Sequence, residues 1–308
     1  VSTCPEEMKL DSISLVEQQF VSERENAFDA EAMSELWVVG LPSLIESRRE
    51  SYLGEIGGAR ASWLQHYVLG LNDFYRASSL QTLEAALQSA SVPDSAEESA
   101  FLALSAAAHC RFSNGETRAQ QIVPAAEKAM QGFADGVSHT ATCALYAGAY
   151  RHLQEAYIVC REDERAEDCA RLSDQWHEVV KSRWSAQHRA LFDAESSGTT
   201  SEWTQALALY FGLLSAEQAQ SVAELNSQFD EPIDSRWQAF FLAGGLWQHG
   251  LGVRARACVD RHWGRLLKRA GTSWRARADT QEIVPGVDAL LARHVLGVYS
   301  LGGSNNAV

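Results

Sequence analysis

Phe101-Leu102-Ala103-Leu104-Ser105-Ala106-Ala107-Ala108 contains one hydroxyl and no charge. At 3.6 residues per turn such a run is apolar on every side, and a helix apolar all round is one surrounded by other elements. Ala206-Leu207-Ala208-Leu209-Tyr210-Phe211 and Ala239-Phe240-Phe241-Leu242-Ala243 read the same way. The segments 117–132, 164–187 and 254–270 instead set a charged face beside an apolar one, which places them in an outer layer. Alternation of the strand type is almost missing, so the sequence predicts an all-α protein with an inner and an outer set of helices.

Working outward, the breaks fall at Gly40-Leu41-Pro42, Gly54 to Gly58, Ser91-Val92-Pro93-Asp94, Ser113-Asn114-Gly115, Ala134-Asp135-Gly136, Ser196 to Thr200, Asp230-Glu231-Pro232 and Gly250 to Gly252. They leave helices at about 29–39, 42–54, 60–77, 79–91, 96–112, 117–132, 138–160, 164–187, 201–214, 216–228, 235–249, 254–270 and 286–297. Tight joins such as Ser78 and Ser215 alternate with long ones at 188–200, 229–234 and 271–285. Antiparallel hairpins joined in this way suggest an (α/α)6 toroid, with short turns at one end and a pocket-forming rim of long loops at the other. The expected organisation is an extended arm over 1–28 and one barrel domain over 29–308.

A hydrophobic share of 46% with 21% charged residues suits a chain that buries a sizeable core. The net charge of −14 opposes binding to phosphate backbones and anionic lipid surfaces, so neither nucleic acid nor a membrane is an expected partner. No apolar run approaches the roughly 20 residues that cross a bilayer. Val1 fits a chain that begins after a removed signal peptide or at an artificial boundary. The six cysteines, Cys4, Cys110, Cys143, Cys160, Cys169 and Cys258, are even in number, as in disulfide-bonded secreted proteins. On those two signals a secreted location is expected, although the chain has no Asn-x-Ser/Thr sequon. Cys160 and Cys169 flank the charged turn 161–165, so that pair either bridges a helix hairpin or, like the others, consists of thiols buried as small hydrophobes.

Gly264-Arg265-Leu266-Leu267-Lys268-Arg269-Ala270-Gly271-Thr272-Ser273-Trp274-Arg275 resembles a signature of the α-L-rhamnosidase-like proteins in the six-hairpin glycosidase group. There a helix containing Trp-Gly leads into Thr-(Thr/Ser)-x-Trp-Glu, whose Glu is the hydrolytic base. Further likeness runs through His139 to Tyr146, Gln205 to Leu213, His262 to Leu267 and Leu290 to Val298, covering roughly 138–300. In the other half, Arg24-Glu25-Asn26-Ala27-Phe28-Asp29-Ala30 is similar to a shortened form of the motif that carries the general acid. The resemblance implies a barrel with Glu25 at the acid position, Asp29 at the helix-opening Asp and Arg275 where the base belongs.

Inverting hydrolysis needs one carboxyl to protonate the leaving oxygen and a second to activate water. A guanidinium stays protonated and cannot supply the second role, which leaves Asp279, Glu282 and Asp288 in the same loop as possible substitutes. The His that usually follows in the family is replaced by the run 279–286. Arg275 is instead suited to donating hydrogen bonds to a carbonyl or carboxylate, with Arg24 and Glu25 as further catalytic candidates.

Of nine tryptophans, Trp37, Trp63, Trp203, Trp237 and Trp274 fall near the expected rim, where indoles either stack on sugar faces or wall an apolar cavity. Trp176, Trp184, Trp247 and Trp263 are read as space-filling. Tyr67, His139 and Tyr146 lie near the starts of expected inner helices and join the candidate binding residues. His66 diverges from Tyr67 by about 100° on a helix, so the two cannot both face the axis. His109 is read as a core histidine. Glu97-Glu98 and Glu162-Asp163 are read as solvated turns, no metal-ligand spacing occurs, and Gly54-Glu55-Ile56-Gly57-Gly58 lacks the lysine of a phosphate loop. No cofactor is expected.

The functional expectation is a repurposed glycosidase-like barrel that binds a largely apolar small molecule. Its step would be non-hydrolytic, such as a cyclisation or a hetero-Diels–Alder type addition in natural-product biosynthesis, which needs orientation and carbonyl polarisation but no base. The alternatives are a glycoside hydrolase with relocated carboxylates and a catalytically dead sugar-binding protein.

Overall fold

The computed structural model describes Trp63, Tyr67 and residues 93–112, 117–195, 198–226, 236–259 and 261–262. Their helices are α1 (Ala96–Phe112), α2 (Thr117–Gln131), α3 (Thr140–Cys160), α4 (Asp163–Ser182), α5 (Glu202–Tyr210), α6 (Ala216–Asn226) and α7 (Arg236–Gln248). A 3-10 turn at Ala134–Gly136 joins α2 to α3, and 252–259 is also helical. One small antiparallel ribbon, β1 (Trp184–Ser185) on β2 (Ala190–Leu191), pairs Trp184 with Leu191. The protein is all-α.

Burial sorts the helices into two layers. Every described side chain from Ser99 to Cys110 in α1 and from Thr204 to Tyr210 in α5 is buried, as is the stretch from Ala239 to Leu246 in α7. α3 packs between α1 and α5, and α5 packs on α7, so these four make the inner layer. α2, α4 and α6 lie outside α1, α3 and α5 respectively, so successive hairpins each contribute one helix to either layer, the arrangement of an (α/α) barrel. Phe101, near the start of α1, meets both Trp203 near the start of α5 and Phe241 in the first half of α7. The inner helices therefore begin at the same end.

Close approach of the inner helices is built on small residues. A Cβ on Gly245 of α7 would lie 2.6 Å from Leu209 Cβ and 2.7 Å from the Tyr210 backbone nitrogen of α5. A Cβ on Gly148 of α3 would lie 2.2 Å from the ring of Phe211. Each glycine gives up helix propensity in exchange for a close approach that a Cβ would block, to the α5 backbone at Gly245 and to the Phe211 ring at Gly148.

The loop after α4 is held from both sides. Gln205 of α5 pairs with Leu191 through its side-chain amide, donating to the carbonyl at 2.8 Å and accepting from the backbone N–H at 3.1 Å. Asp193 Oδ1 accepts from the Ser201 backbone N–H, the Ser201 hydroxyl and the Thr204 hydroxyl, while Ser201 caps α5 by accepting from the Thr204 N–H. Thr140, at the start of α3, donates its N–H to the Asp193 carbonyl and its hydroxyl to that of Phe192. The first turns of α3 and α5 are thereby tied to one loop.

Two helix ends fall short of the sequence expectation. The segment expected to run 164–187 stops at Ser182, because Trp184–Ser185 leave the helix to pair with β2. That expected over 201–214 stops at Tyr210, where Gly212 turns left-handed at φ 64° and Leu213 donates back to the Ala208 carbonyl. Trp176, Trp184 and Trp247 pack against the core, as expected of space-filling indoles, whereas Trp263 lies outside the described residues.

Candidate functional site

The starts of the inner helices bring two carboxyls and two indoles together. Ser95-Ala96-Glu97-Glu98 opens α1, with Ser95 Oγ accepting from the Glu98 backbone N–H at 3.2 Å, the first half of a capping box. The second half is not made. Glu98 instead accepts from the backbone N–H of Trp63 at 2.6 Å, and Glu97 accepts from the indole N–H of Trp203 at 3.2 Å. Residues from three separate parts of the chain thus converge on one helical turn.

Beneath them lies an aromatic floor. Trp203 packs edge-on to Phe241 with centroids 5.4 Å apart and lies nearly parallel to Phe101 at 6.5 Å. Tyr67 contacts Phe101 and Phe241, and its hydroxyl lies 3.3 Å from that of Tyr210. Trp63 and Tyr67 are four positions apart, which puts them on one face of their helix. Tyr67 is 1% exposed, whereas Trp63, Glu97, Glu98 and Trp203 are each part-exposed. The accessible polar groups therefore sit on a sealed apolar base.

Burial raises the pKa of Glu97, only partly offset by the Trp203 hydrogen bond. Burial likewise raises Glu98, against the Trp63 N–H and reinforced by the negative charges of Glu97 and Asp94. Both carboxyls are biased toward the protonated form, the state in which a carboxyl donates a hydrogen bond. A group whose pKa is raised on folding contributes stability that is complete below its unfolded value and is lost as pH rises through the folded value. Glu97→Gln, whose side-chain oxygen still accepts from Trp203, should therefore raise the melting temperature at neutral pH but not at a pH below the ordinary carboxyl range. Thermal unfolding across that range checks the sign.

Of the residues singled out in the sequence, Trp63 and Trp203 stand beside this carboxyl pair and Tyr67 lies in the floor. Tyr146 lies behind the pair, its hydroxyl 3.4 Å from that of Ser99. It is buried between the layers, donating its hydroxyl to the Met130 carbonyl and packing on Trp176 of α4. His139 is exposed at the start of α3 and makes no side-chain cap. Trp237 belongs to α7, and its side chain lies outside what is described, as do Arg24, Glu25, Trp37, His66, Trp274 and Arg275. Glu97 and Glu98, read in the sequence as a solvated turn, are half-buried, Glu97 bonded to an indole and Glu98 to a backbone N–H, because two other chain segments close over them. Their one local signal was position, immediately before a helix apolar on every side.

No group of His, Cys, Asp and Glu suited to a metal occurs among the described residues, and no described helix is long and apolar enough to cross a membrane. No family model matches the sequence, and no curated protein matches it. Among solved structures the fold matches a GH78 family rhamnosidase of Bacillus sp. GL1, with a TM-score of 0.50 at 18% identity. The match covers 58% of this chain and 22% of that one, so the chain spans about a fifth of the rhamnosidase's length. This likeness establishes a distantly related helical fold.

Proposed function

We propose that the mouth formed by Trp63, Glu97, Glu98 and Trp203 binds a small molecule with a broad apolar face. There it promotes a cyclisation or pericyclic step, with Glu97 donating a hydrogen bond to a substrate oxygen. The observation that carries this reading is the meeting of two part-exposed carboxyls with Trp63 and Trp203 on one helical turn, where burial raises the pKa of both acids. Hydrolysis by inversion asks for opposite displacements, one carboxyl protonated and one ionised to activate water. Two carboxyls biased the same way favour hydrogen-bond donation, which stabilises charge growing on an oxygen in a site of low polarity. The part-exposed Trp203 indole, backed by the buried Phe101 ring, offers a face against which a flat or ring-bearing substrate is held in a reactive geometry. Arg275, outside the described residues, is kept as a further candidate hydrogen-bond donor to the substrate.

The fold match to a rhamnosidase supports a second reading, a glycoside hydrolase whose carboxylates have been relocated, or a sugar-binding protein descended from one. Thermal-shift screening with oligosaccharides and with polyketide and terpenoid fractions separates the ligand classes. Stabilisation by the latter is expected, with product formation slowed about 100–1,000-fold by Glu97→Ala at little cost in melting temperature. Arg275→Ala should also slow the step. Turnover of an aryl α-L-rhamnoside that disappears in Glu97→Gln or Glu25→Gln would replace the proposal with the hydrolase reading, and stabilisation by sugars without turnover would replace it with the binding one.

A further inference from the structure

The last turns of α1 and α3, at the opposite end of the inner helices from the carboxyl pair, bring two thiols together. Cys110 Sγ lies 3.3 Å from Cys160 Sγ although the residues are 50 positions apart in the chain. Cys110 is fully buried and also approaches the Ala156 carbonyl at 3.7 Å, whereas Cys160 is part-exposed. Cys169, the neighbour in sequence that suggested a bridge, is buried on α4; Cys143 is buried in the first turns of α3, at the far end from Cys160, and Cys258 in the helical segment 252–259. The spatial partner of Cys160 is therefore Cys110.

We infer that Cys110 and Cys160 form an oxidisable dithiol, converted by a low-molecular-weight disulfide such as oxidised glutathione into a covalent staple between the ends of α1 and α3. A disulfide requires about 2.05 Å between the sulfurs, so the bond needs them to close by roughly 1.2 Å from their 3.3 Å separation. Accessibility sets the order of events. Cys160 loses its proton, and its thiolate attacks one sulfur of the glutathione disulfide; a glutathione thiolate leaves and takes up a proton. Cys110 then loses its proton and attacks Cys160 Sγ, expelling the second glutathione. Two protein thiols are oxidised, one disulfide is reduced to two thiols, and the protons balance. Burial pushes the Cys110 thiol up to about 12, so the second step is the slow one and accelerates as pH rises.

A further consequence is that the bond restrains the unfolded chain without touching the carboxyl pair. A loop of about 50 residues is long enough that its closure raises the melting temperature by about 6 °C.

The test is to incubate the folded chain with oxidised glutathione, block remaining thiols, and map disulfides by mass spectrometry of unreduced peptides. Wild type is expected to yield the peptide pair containing Cys110 and Cys160, with the higher melting temperature reversed by reductant. Cys110→Ser should stop at a glutathione adduct on Cys160, and Cys160→Ser, at a part-exposed position that tolerates the change, should leave Cys110 as a thiol. Cys169→Ser should leave the bridge intact. Recovery of a Cys160 to Cys169 bridge, or of wild type with both Cys110 and Cys160 still reduced at pH 8.5 after prolonged oxidation, would overturn the inference. Neither outcome depends on what the carboxyl pair does.

Discussion

Phe241→Ala is expected to lower stability by about 3–5 kcal/mol, read as a fall in the urea midpoint at unchanged slope. Phe241 is 0% exposed and stands where α7 meets α1, α5 and the Tyr67 segment. Six rings surround it: Tyr210 at 4.8 Å, Phe240 at 5.2 Å, Trp203 at 5.4 Å, Phe101 at 5.9 Å, Tyr67 at 6.3 Å and Phe211 at 6.5 Å. Truncation removes the transfer energy of a benzyl group and leaves a cavity lined by rigid aromatics on different helices, which cannot all move inward together. The cost therefore belongs at the upper end of the usual range. Val253, 82% exposed, supplies the contrast, since Val253→Ala should change stability by less than about 0.5 kcal/mol. A loss below about 1 kcal/mol for Phe241→Ala would mean that the aromatic floor collapses freely, and the fixed placement of Trp203 beside Glu97 would fall with it.

That floor marks how far the sequence could be read. The extent of α1 was legible to the residue, because Pro93-Asp94-Ser95 ends one segment, Ser113-Asn114-Gly115 begins a break, and the run between them is apolar on all sides. The sorting of α1, α5 and α7 into the inner layer followed from the same absence of a polar face. The end of α4 was not legible, because Trp184 and Ser185 leave the helix for hydrogen bonds to a segment beyond the turn. The site shows the same division. Trp63 and Trp203 announce themselves by size and by position near helix starts. Glu97 does not, since its burial and its indole partner, 106 positions away, come from remote segments. The cysteines repeat the lesson, for Cys160 has Cys169 nearby in sequence and Cys110 nearby in space. Periodicity carries information about neighbours three and four residues apart, whereas a site is a set of meetings between remote segments.

Gly245→Ala is expected to be as damaging as a core truncation, although it adds one methyl to a position inside a helix. In a solvent-facing helix the change would gain up to about 1 kcal/mol through propensity. Here the added Cβ would meet Leu209 Cβ at 2.6 Å, the Tyr210 backbone nitrogen at 2.7 Å and the Leu209 carbonyl carbon at 2.8 Å. These atoms belong to or sit directly on the α5 backbone, so no rotamer change relieves them and α7 must move away from α5 as a body. Separation opens gaps along the whole α5–α7 contact, including those between Tyr210 and the paired rings of Phe240 and Phe241. Overpacking usually costs about 1–3 kcal/mol, and a clash with backbone rather than side chain should reach about 3 kcal/mol even after the propensity gain. Gly136→Ala makes the comparison sharp, because nothing lies within 4 Å of the Cβ it would introduce. Chemical denaturation of both variants reads the difference directly. Gly245→Ala as stable as wild type would show that α5 and α7 stand further apart than described, and the mouth that depends on their spacing would have to be redrawn. Because Trp203 rides on α5 and packs edge-on to Phe241 of α7, the same variant should also weaken ligand binding under conditions where it remains folded.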